Sequence, residues 1–183
     1  MKLLNEVMIP GNKIIIREKR LSDAQNDYNW ESDPQLADLD AVHPLKISFH
    51  RYLNDYSYEL KIPFQNSRHF AIDTLDGNHI GNCSYYHISE KDGEAELGIM
   101  IGNRDYWDKG YGEDTVKTLV DYVFRTTSLK RIYLKTLESN DRALKCFNKC
   151  GFVWCGRLLN EGFNFVVMEI LRKQWETIRS KQT

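Results

Sequence analysis

Three stretches of strand-forming composition follow one another closely in the middle of the chain, at residues 68–75, 79–88 and 94–101. Asp76 and Gly77 separate the first two, and this dipeptide suits a tight hairpin turn. Gly93 ends a second turn before the third stretch. Strands joined by short turns pair in an antiparallel manner. The sequence therefore predicts a three-stranded meander, and any fold of this chain must contain that sheet.

The apolar pattern changes from the period of a strand to that of a helix after Glu113. The apolar face of this predicted helix consists of Val116, Leu119, Val120, Val123 and Phe124. The other predicted elements are a strand at 13–17, helices beginning near Ser22 and Pro34, a helix over 47–60, a strand at 131–136, a helix at 140–149, and strands at 153–156 and 163–171. This order predicts an α/β (α+β) fold in a single domain over 1–183. Its mixed, mostly antiparallel sheet would have six to seven strands flanked by helices, followed by a short, partly flexible tail at 176–183.

The charge balance argues against a nucleic-acid partner. Among 183 residues, 25 Lys and Arg stand against 26 Asp and Glu, whereas proteins that neutralise many phosphates carry a basic surplus; a local basic patch is still compatible with these totals. The longest strongly apolar run is 165–168, too short for a membrane span, and the N-terminal residues lack the apolar core of a secretory signal. The four cysteines are few and the five histidines show no metal-ligand spacing. We therefore expect a cytoplasmic protein without a membrane, metal or nucleic-acid partner.

Residues 107–113, Trp-Asp-Lys-Gly-Tyr-Gly-Glu, lie between the third strand of the meander and the amphipathic helix. A glycine-bearing loop that opens a helix presents unpaired backbone N–H groups to an anion, and Gly110 and Gly112 would let a bulky phosphate approach. A P-loop is excluded because its Gly-Lys-Ser/Thr ending is missing, and a dinucleotide fingerprint is excluded because Thr115 replaces its third glycine. A phosphate cradle and a plain strand-to-helix turn both remain open at this point.

The segment that begins at Glu96 (Glu-Leu-Gly-Ile-Met-Ile) and continues into Trp-Asp-Lys-Gly-Tyr-Gly resembles the acetyl-CoA motif of the GNAT acetyltransferases. Asn-Asp-Arg-Ala from Asn140, followed by Phe-Asn-Lys-Cys-Gly-Phe from Phe147, is similar to the second motif of that family. The chain looks most like the RimJ/RimL-type and spermidine N-acetyltransferase branch. This resemblance implies a sheet that is splayed at the cofactor strand, acetyl-CoA as the acyl donor without a metal, and direct transfer to an amine in a ternary complex. It also makes a homodimer an expectation, because dimers are common in the family.

The resemblance also implies roles for individual residues. The backbone of Ile99, Met100 and Ile101 would bind the pantetheine arm, and a β-bulge at Gly98 would splay the strand. The backbone N–H groups of the loop would hold the pyrophosphate. The loop residues expected at the cofactor are Trp107, Lys109, Gly110, Tyr111, Gly112 and Glu113, and the second motif adds Asn140 and Phe147.

Phe147 departs from the family pattern, in which a tyrosine often protonates the departing CoA thiolate at this position. The alternatives are that the thiolate leaves without a formal acid, or that Tyr111, Tyr133 or a water takes that role. Glu96 matches the strand position at which several family members place a carboxylate, and it is our candidate for the general base. An alkyl ammonium costs about 4–5 kcal/mol to deprotonate at pH 7, whereas a protein α-amino group costs only about 1 kcal/mol. A polyamine acceptor therefore needs a base more than a protein N-terminus does.

The sequence is compatible with more than one acceptor amine. Residues 21–45 contain six acidic residues and no Lys or Arg, which suits a cationic amine but also suits ordinary solvated helices. The acidic residues are Asp23, Asp27, Glu31, Asp33, Asp38 and Asp40. A protein N-terminus and a small cationic amine such as a polyamine both stay open. Because Phe147 is no acid, a catalytically weak or inactive acyl-CoA-binding module is the alternative function.

Overall fold

The structure of the protein is a computed structural model, and it describes residues 7–62 and 65–181. Eight strands form one sheet in the order β1-β2-β3-β4-β5-β6-β8-β7, and only the β5–β6 pair is parallel. The strands are β1 (Met8–Pro10), β2 (Ile14–Glu18), β3 (Ser67–Thr74), β4 (His79–Ser89), β5 (Glu94–Ile101), β6 (Arg131–Leu137), β7 (Val153–Asn160) and β8 (Phe163–Leu171). The predicted mixed, mostly antiparallel sheet is confirmed, with one strand more than expected. The extra strand, β1, has only three residues, which is too short for a periodic sequence pattern.

Helices cover both faces of the sheet. They are α1 (Ala24–Glu31), α2 (Pro34–Leu39), α3 (Phe49–Glu59), α4 (Tyr111–Thr126), α5 (Asp141–Lys149) and α6 (Arg172–Ser180). The apolar face of α4 is buried as its spacing predicts, and it forms the main core together with strand residues such as Ile16 and Leu97. A second, smaller cluster joins α1 to α3 through Ala24, Tyr52 and Tyr56. Leu21–Asp23 forms a 3-10 turn before α1, so the helix begins after Ser22.

The C-terminal residues 176–180, which we expected to belong to a partly flexible tail, are the second half of α6. This helix packs on α4 through Trp175, whose ring centroid lies 5.4 Å from that of Phe124. Arg172 ties its first turn to the body of the domain, because the guanidinium donates to the carbonyl oxygens of Phe124, Thr127 and Leu129. The helix therefore belongs to the domain, and Trp175 and Ile178 are the apolar side chains that hold it there.

Strands β5 and β6 separate part-way along their length. They pair only at Glu94, Ala95 and Glu96, although β5 continues to Ile101 and β6 to Leu137. On its other side β5 pairs with β4 as far as Ile101. The backbone of residues 97–101 therefore keeps an open edge toward β6, and the expected splay at the cofactor strand is present.

The bulge that we expected at Gly98 lies in the neighbouring strand instead. The register between β4 and β5 shifts between Tyr86 and Ser89, where His87 adopts φ 51°. Gly98 stays in regular register opposite Ser84. A Cβ on Gly98 would lie 3.0 Å from the Ser84 hydroxyl and 3.1 Å from the Tyr86 ring. The glycine thus makes room for cross-strand side chains, and it is not needed for a bulge.

Candidate active site

A cavity of about 430 Å³ opens where β5 and β6 diverge, and the N-termini of α4 and α5 border it. Nine of the eleven predicted cofactor-binding residues line this cavity: Ile99, Met100, Ile101, Trp107, Gly110, Gly112, Glu113, Asn140 and Phe147. The two others, Lys109 and Tyr111, belong to the same loop and the first turn of α4 but do not line the cavity. The structure therefore brings together residues that lie up to about fifty positions apart in the sequence.

The loop before α4 has the geometry of an anion cradle. Gly110 caps the helix in the left-handed conformation, with φ 83°, and Asp108 before it has φ 56°. The first N–H groups of a helix have no partner inside it, and they carry the positive end of the helix dipole. Gly112 in that first turn faces the cavity without a side chain. This arrangement can hold a phosphate or a pyrophosphate.

Neither carboxylate of the first turn of α4 occupies the cradle. The Glu113 carboxylate pairs with Lys117 at 2.7 Å, one turn along the helix. The buried Asp114 carboxylate turns to the β1–β2 hairpin, where it accepts from the backbone N–H of Lys13 at 2.7 Å and that of Asn12 at 3.1 Å. The two negative charges are thus directed away from the place where an anion would bind.

The same hairpin brings a cation to the cradle that sequence reasoning missed. Lys13 Nζ donates to the Lys109 carbonyl at 2.8 Å and would lie 3.5 Å from a Cβ on Gly110. Arg142, Lys145 and Lys149 add positive charge, because all three line the cavity. Their spacing in the sequence places them along one side of α5, which is a signal that could have found them. Lys13 has no such signal, since it lies 97 positions before Gly110.

Trp107 closes the far end of the open β5 edge. Its indole N–H donates to the Ile101 carbonyl at 2.6 Å, and the Arg142 guanidinium lies 3.4 Å from the ring centroid. Asn140 caps α5, since its side-chain oxygen accepts from the N–H of Ala143 at 3.2 Å. Trp107 therefore shapes the cavity wall, and the Ile101 carbonyl already has a donor.

Glu96 lies at the last residue pair before β5 and β6 diverge, directly opposite Tyr133. Its buried carboxylate is 3.0 Å from Lys135 Nζ and 3.0 Å from His87 Nδ1. The β4 bulge aims His87 at Glu96, while the rest of the imidazole is exposed to solvent. The absence of a bulge in β5 leaves Glu96 on the same face of the strand as Gly98 and Met100, as alternation predicts.

The ionisation of this cluster follows from its contacts. Burial alone would raise the pKa of Glu96, but the hydrogen bonds from Lys135, His87 and Tyr86 outweigh it and hold that pKa below its usual range. Burial first, and then the Glu96 carboxylate, raise the pKa of both Tyr86 and Tyr133. Glu96 is therefore a carboxylate and both phenols keep their protons at neutral pH.

Five of the six acidic residues of 21–45 divide into two groups, and the sixth, Asp38, is exposed on α2 and lines neither of the two cavities described here. Asp23 and Asp27 are buried and paired, Asp23 with Arg17 at 2.7 Å and Asp27 with Lys19 at 2.9 Å. Asp33 caps α2 and pairs with Arg104. These three carboxylates tie the N-terminal helices to β2, to Lys19 after it and to the segment after β5, and none of them lines the large cavity.

The second group lies beside the cavity. Asp40 lines it, and both Asp40 and Glu31 line an adjoining cavity of about 120 Å³. Trp30 and Met100 contribute to the wall of the smaller cavity. A site with two carboxylates and an aromatic ring suits a cationic group. In residues 7–62 and 65–181, no helix is long and apolar enough to cross a membrane, and no cluster of His, Cys, Asp and Glu is arranged to hold a metal.

The chain is similar to known acetyltransferases in sequence and in fold. Residues 13–153 match the model of the acetyltransferase (GNAT) domain. An uncharacterized N-acetyltransferase, p20, of Bacillus licheniformis is 28% identical over 141 residues, which cover 76% of this chain and 79% of that protein. The spermidine N(1)-acetyltransferase of Escherichia coli K12 is 30% identical over 106 residues, which cover 58% of this chain and 56% of that enzyme.

Solved structures share the fold at lower sequence identity. A spermidine N-acetyltransferase from Vibrio cholerae, in complex with CoA and spermine, superposes with a TM-score of 0.80 at 23% identity over 90% of this chain and 98% of that one. The aminoglycoside acetyltransferase AAC(6')-Ib, in complex with coenzyme A, superposes with a TM-score of 0.74 at 21% identity over 91% of this chain and 99% of that one. At these identities the likeness concerns the fold alone.

Proposed function

Because this chain belongs to the GNAT acetyltransferase family, we propose that it transfers the acetyl group of acetyl-CoA to a primary amine of a small cationic molecule. One observation carries the proposal: the open β5 edge and the anion cradle of α4 share one cavity. The pantetheine arm would pair with the backbone of residues 99–101, and the pyrophosphate would meet the backbone N–H groups of residues 109–113. Lys13 with the basic side of α5 would neutralise the phosphates.

The amine attacks the thioester from the side of the sheet that carries Glu96. The amine must either arrive in its neutral form or lose a proton in the site, because an ammonium has no lone pair to form the new bond. Glu96 is ionised and accepts a hydrogen bond from the amine directly or through water, but its lowered pKa makes it a weak final proton acceptor. In this proposal the exposed His87 passes the proton from Glu96 to solvent.

The departing thiolate obtains its proton from Tyr133, and the resulting phenolate then recovers a proton from solvent. Phe147 occupies the position at which many relatives have a phenol, and it lies buried against Phe152 with no group to donate. Tyr111 packs edge-on against Tyr106 at the cradle end of the site. Tyr133 lies where the strands diverge and keeps its proton at neutral pH. We expect Tyr133→Phe to lower turnover more than it lowers affinity for acetyl-CoA.

The acceptor class follows from the acidic side of the smaller cavity. Asp40 and Glu31 would bind the cationic arms of a polyamine-like molecule, and Trp30 would pack on its methylene groups. Two similar enzymes are named for spermidine, and a third is named for aminoglycosides. A protein N-terminus carries fewer cationic groups to engage both carboxylates and is the second candidate. The expected homodimer and the cytoplasmic location remain predictions.

A second function is favoured by one observation, the phenylalanine at position 147. If no group protonates the thiolate, CoA has to leave as the thiolate, and the domain transfers acetyl groups slowly or only binds acyl-CoA. Phe147→Tyr separates the two functions. It should create turnover in a binding module, whereas in an enzyme that already uses Tyr133 it should change turnover little.

The test combines thermal unfolding with a thiol-release assay. Acetyl-CoA at about 100 times its dissociation constant adds about 2.7 kcal/mol to the free energy of unfolding, which raises Tm measurably. The same protein is then assayed for CoA thiol release with polyamines, aminoglycosides and N-terminal peptides. Release with polyamines alone supports the proposal, and release with peptides alone contradicts the acceptor class. A raised Tm without any release favours the binding module, and an unchanged Tm contradicts the cofactor.

A further inference from the structure

Two thiols on α5 have no part in the mechanism above. Cys146 and Cys150 are four residues apart, so they are neighbours on one face of the helix. Cys146 lines the large cavity, and its Sγ would lie 3.7 Å from a Cβ on Gly112 in the cradle. Cys150 is buried behind it, with its Sγ 3.6 Å from the Glu113 carbonyl oxygen. One thiol thus faces the cofactor site and the other supports it from the core.

The contacts of Cys146 lower the pKa of its thiol. The Cys150 thiol has one hydrogen, which can point to the Glu113 carbonyl or to the Cys146 sulfur. Donation from Cys150 lowers the pKa of Cys146 despite its burial, and Lys149 and Lys117 contribute in the same direction, while Glu113 opposes them. Cys150 correspondingly keeps its proton. The thiolate is the form of cysteine that attacks disulfides.

We propose that Cys146 is a site of reversible S-thiolation by small-molecule disulfides, and that the adduct and acetyl-CoA exclude each other from the cavity. The second part rests on the proposed function. The steric reason is the position of Sγ between α4 and β5. A substituent on this sulfur must occupy the space beside Gly112 and Ile101, which the bound cofactor would fill.

The chemistry is a thiol–disulfide exchange. The Cys146 thiolate attacks one sulfur of the disulfide, a bond forms between Sγ and that sulfur, and the bond between the two reagent sulfurs breaks. The other half leaves as a thiolate and takes up the proton that Cys146 had lost. The protein thiol is oxidised and the reagent is reduced, and an excess of small thiol reverses the reaction.

The other cysteines supply internal references for the test. Cys155 is exposed on β7, outside the cavity lining, and Cys83 is completely buried in the core, where burial raises its pKa. The full-length protein is treated with glutathione disulfide, and the adduct at each cysteine is quantified by peptide mass spectrometry. Acetyl-CoA at about 100 times its dissociation constant leaves about one cavity in 100 empty. We therefore expect about 100-fold slower modification of Cys146 and an unchanged rate at Cys155.

Variants check that the effect belongs to this thiol. Glutathione disulfide should reduce the binding of acetyl-CoA in the parent protein and in Cys155→Ser, and dithiothreitol should restore it. Cys146→Ser should bind the same amount of acetyl-CoA before and after treatment. Cys150→Ser keeps a hydrogen-bond donor and should preserve the rate at Cys146, whereas Cys150→Ala should slow it. Melting temperatures of both Cys150 variants establish that they fold.

Two results would overturn the inference: an unmodified Cys146 in protein whose Cys155 has reacted, or modification of Cys146 that stays equally fast when acetyl-CoA has raised Tm. In both cases the proposed acetyl transfer is unaffected. If acetyl-CoA neither raises Tm nor protects Cys146, the cofactor assignment fails together with the mutual exclusion.

Discussion

The β1–β2 hairpin is fixed to the anion cradle by one buried carboxylate, and its removal gives a quantitative prediction. Asp114 accepts from the backbone N–H groups of Lys13 and Asn12 and from the Asn12 side chain, at 2.7, 3.1 and 3.3 Å. A hydrogen bond to a charged group is worth about 1.5–3 kcal/mol, but exposed donors in the hairpin recover water when the carboxylate is lost. We expect Asp114→Ala to lower the free energy of unfolding by about 2–4 kcal/mol.

The same substitution should weaken cofactor binding, because Asp114 also determines where Lys13 lies. A single Lys contact with a phosphate is worth about 1 kcal/mol in a half-exposed site, which corresponds to about a fivefold increase in Kd for acetyl-CoA. Since Asp114→Ala and Lys13→Met would remove the same contact, their effects on Kd should not add. Urea unfolding measures the first quantity, and calorimetric titration with acetyl-CoA measures the second.

Asp121→Ala is the matched control for this prediction. Asp121 lies on the same helix, but 36% of its side chain is accessible, and its carboxylate pairs with two partly exposed residues, Arg125 at 2.6 Å and Arg179 at 3.4 Å. Exposed pairs contribute about 0–1 kcal/mol, so the control should change stability little and Kd not at all. An Asp114→Ala protein that unfolds within about 0.5 kcal/mol of the parent would refute the reasoning, and so would equal effects of the two substitutions on Kd.

Three further predictions concern other parts of the molecule. The pKa of Glu96 is lower in the folded protein than in the unfolded chain. The stabilising contribution of Glu96 is therefore present above the unfolded pKa of about 4.3 and is lost as the pH falls through the folded pKa. Glu96→Gln should accordingly lower the free energy of unfolding more at about pH 6 than at about pH 3, which urea unfolding at both pH values would measure. Gly112→Trp should abolish the rise in Tm with acetyl-CoA. Gly112→Ala should fold normally and serve as its control, because its Cβ would make an ordinary van der Waals contact with Cys146 Sγ at 3.7 Å. Gly151 has φ 91°, and a Cβ there would lie 2.7 Å from Ile178, so Gly151→Ala should cost more than the about 1 kcal/mol expected for Gly162→Ala, which meets no neighbour; equal losses in thermal unfolding would contradict the contact.

The local elements of this fold were readable from the sequence because each one has its own periodicity. The strand over 94–101 and the helix over 141–149 lie where alternation and helical spacing place them, within a residue or two. The two motifs around Gly112 and Asn140 also indicated the family and the cofactor. Backbone N–H groups at a helix start are a local property, and they do not depend on what the rest of the chain does.

Contacts between residues far apart in the chain could not be predicted from the local sequence pattern. Lys13 and Asp114 meet across 101 positions, and neither residue shows in the sequence that the other is its partner. We expected a bulge at Gly98 in β5, whereas the bulge lies at His87 in the neighbouring strand β4. A bulge depends on the register between two strands and not on one glycine. The acidic stretch of 21–45 appeared uniform, yet burial divides it into structural ion pairs and carboxylates beside the cavity.

The order of the elements, the glycine-bearing loop expected to hold a phosphate and the resemblance to an acetyltransferase could all be read from the sequence, since these depend on residues close together in the chain. The tertiary structure alone decided the chemical state of the site. Glu96 holds its charge because Lys135 and His87 reach it from two other strands, and Cys146 faces the cofactor cavity because α5 packs beside α4. The charge state of a buried group depends on its neighbours in space, and those are set only when distant segments pack together.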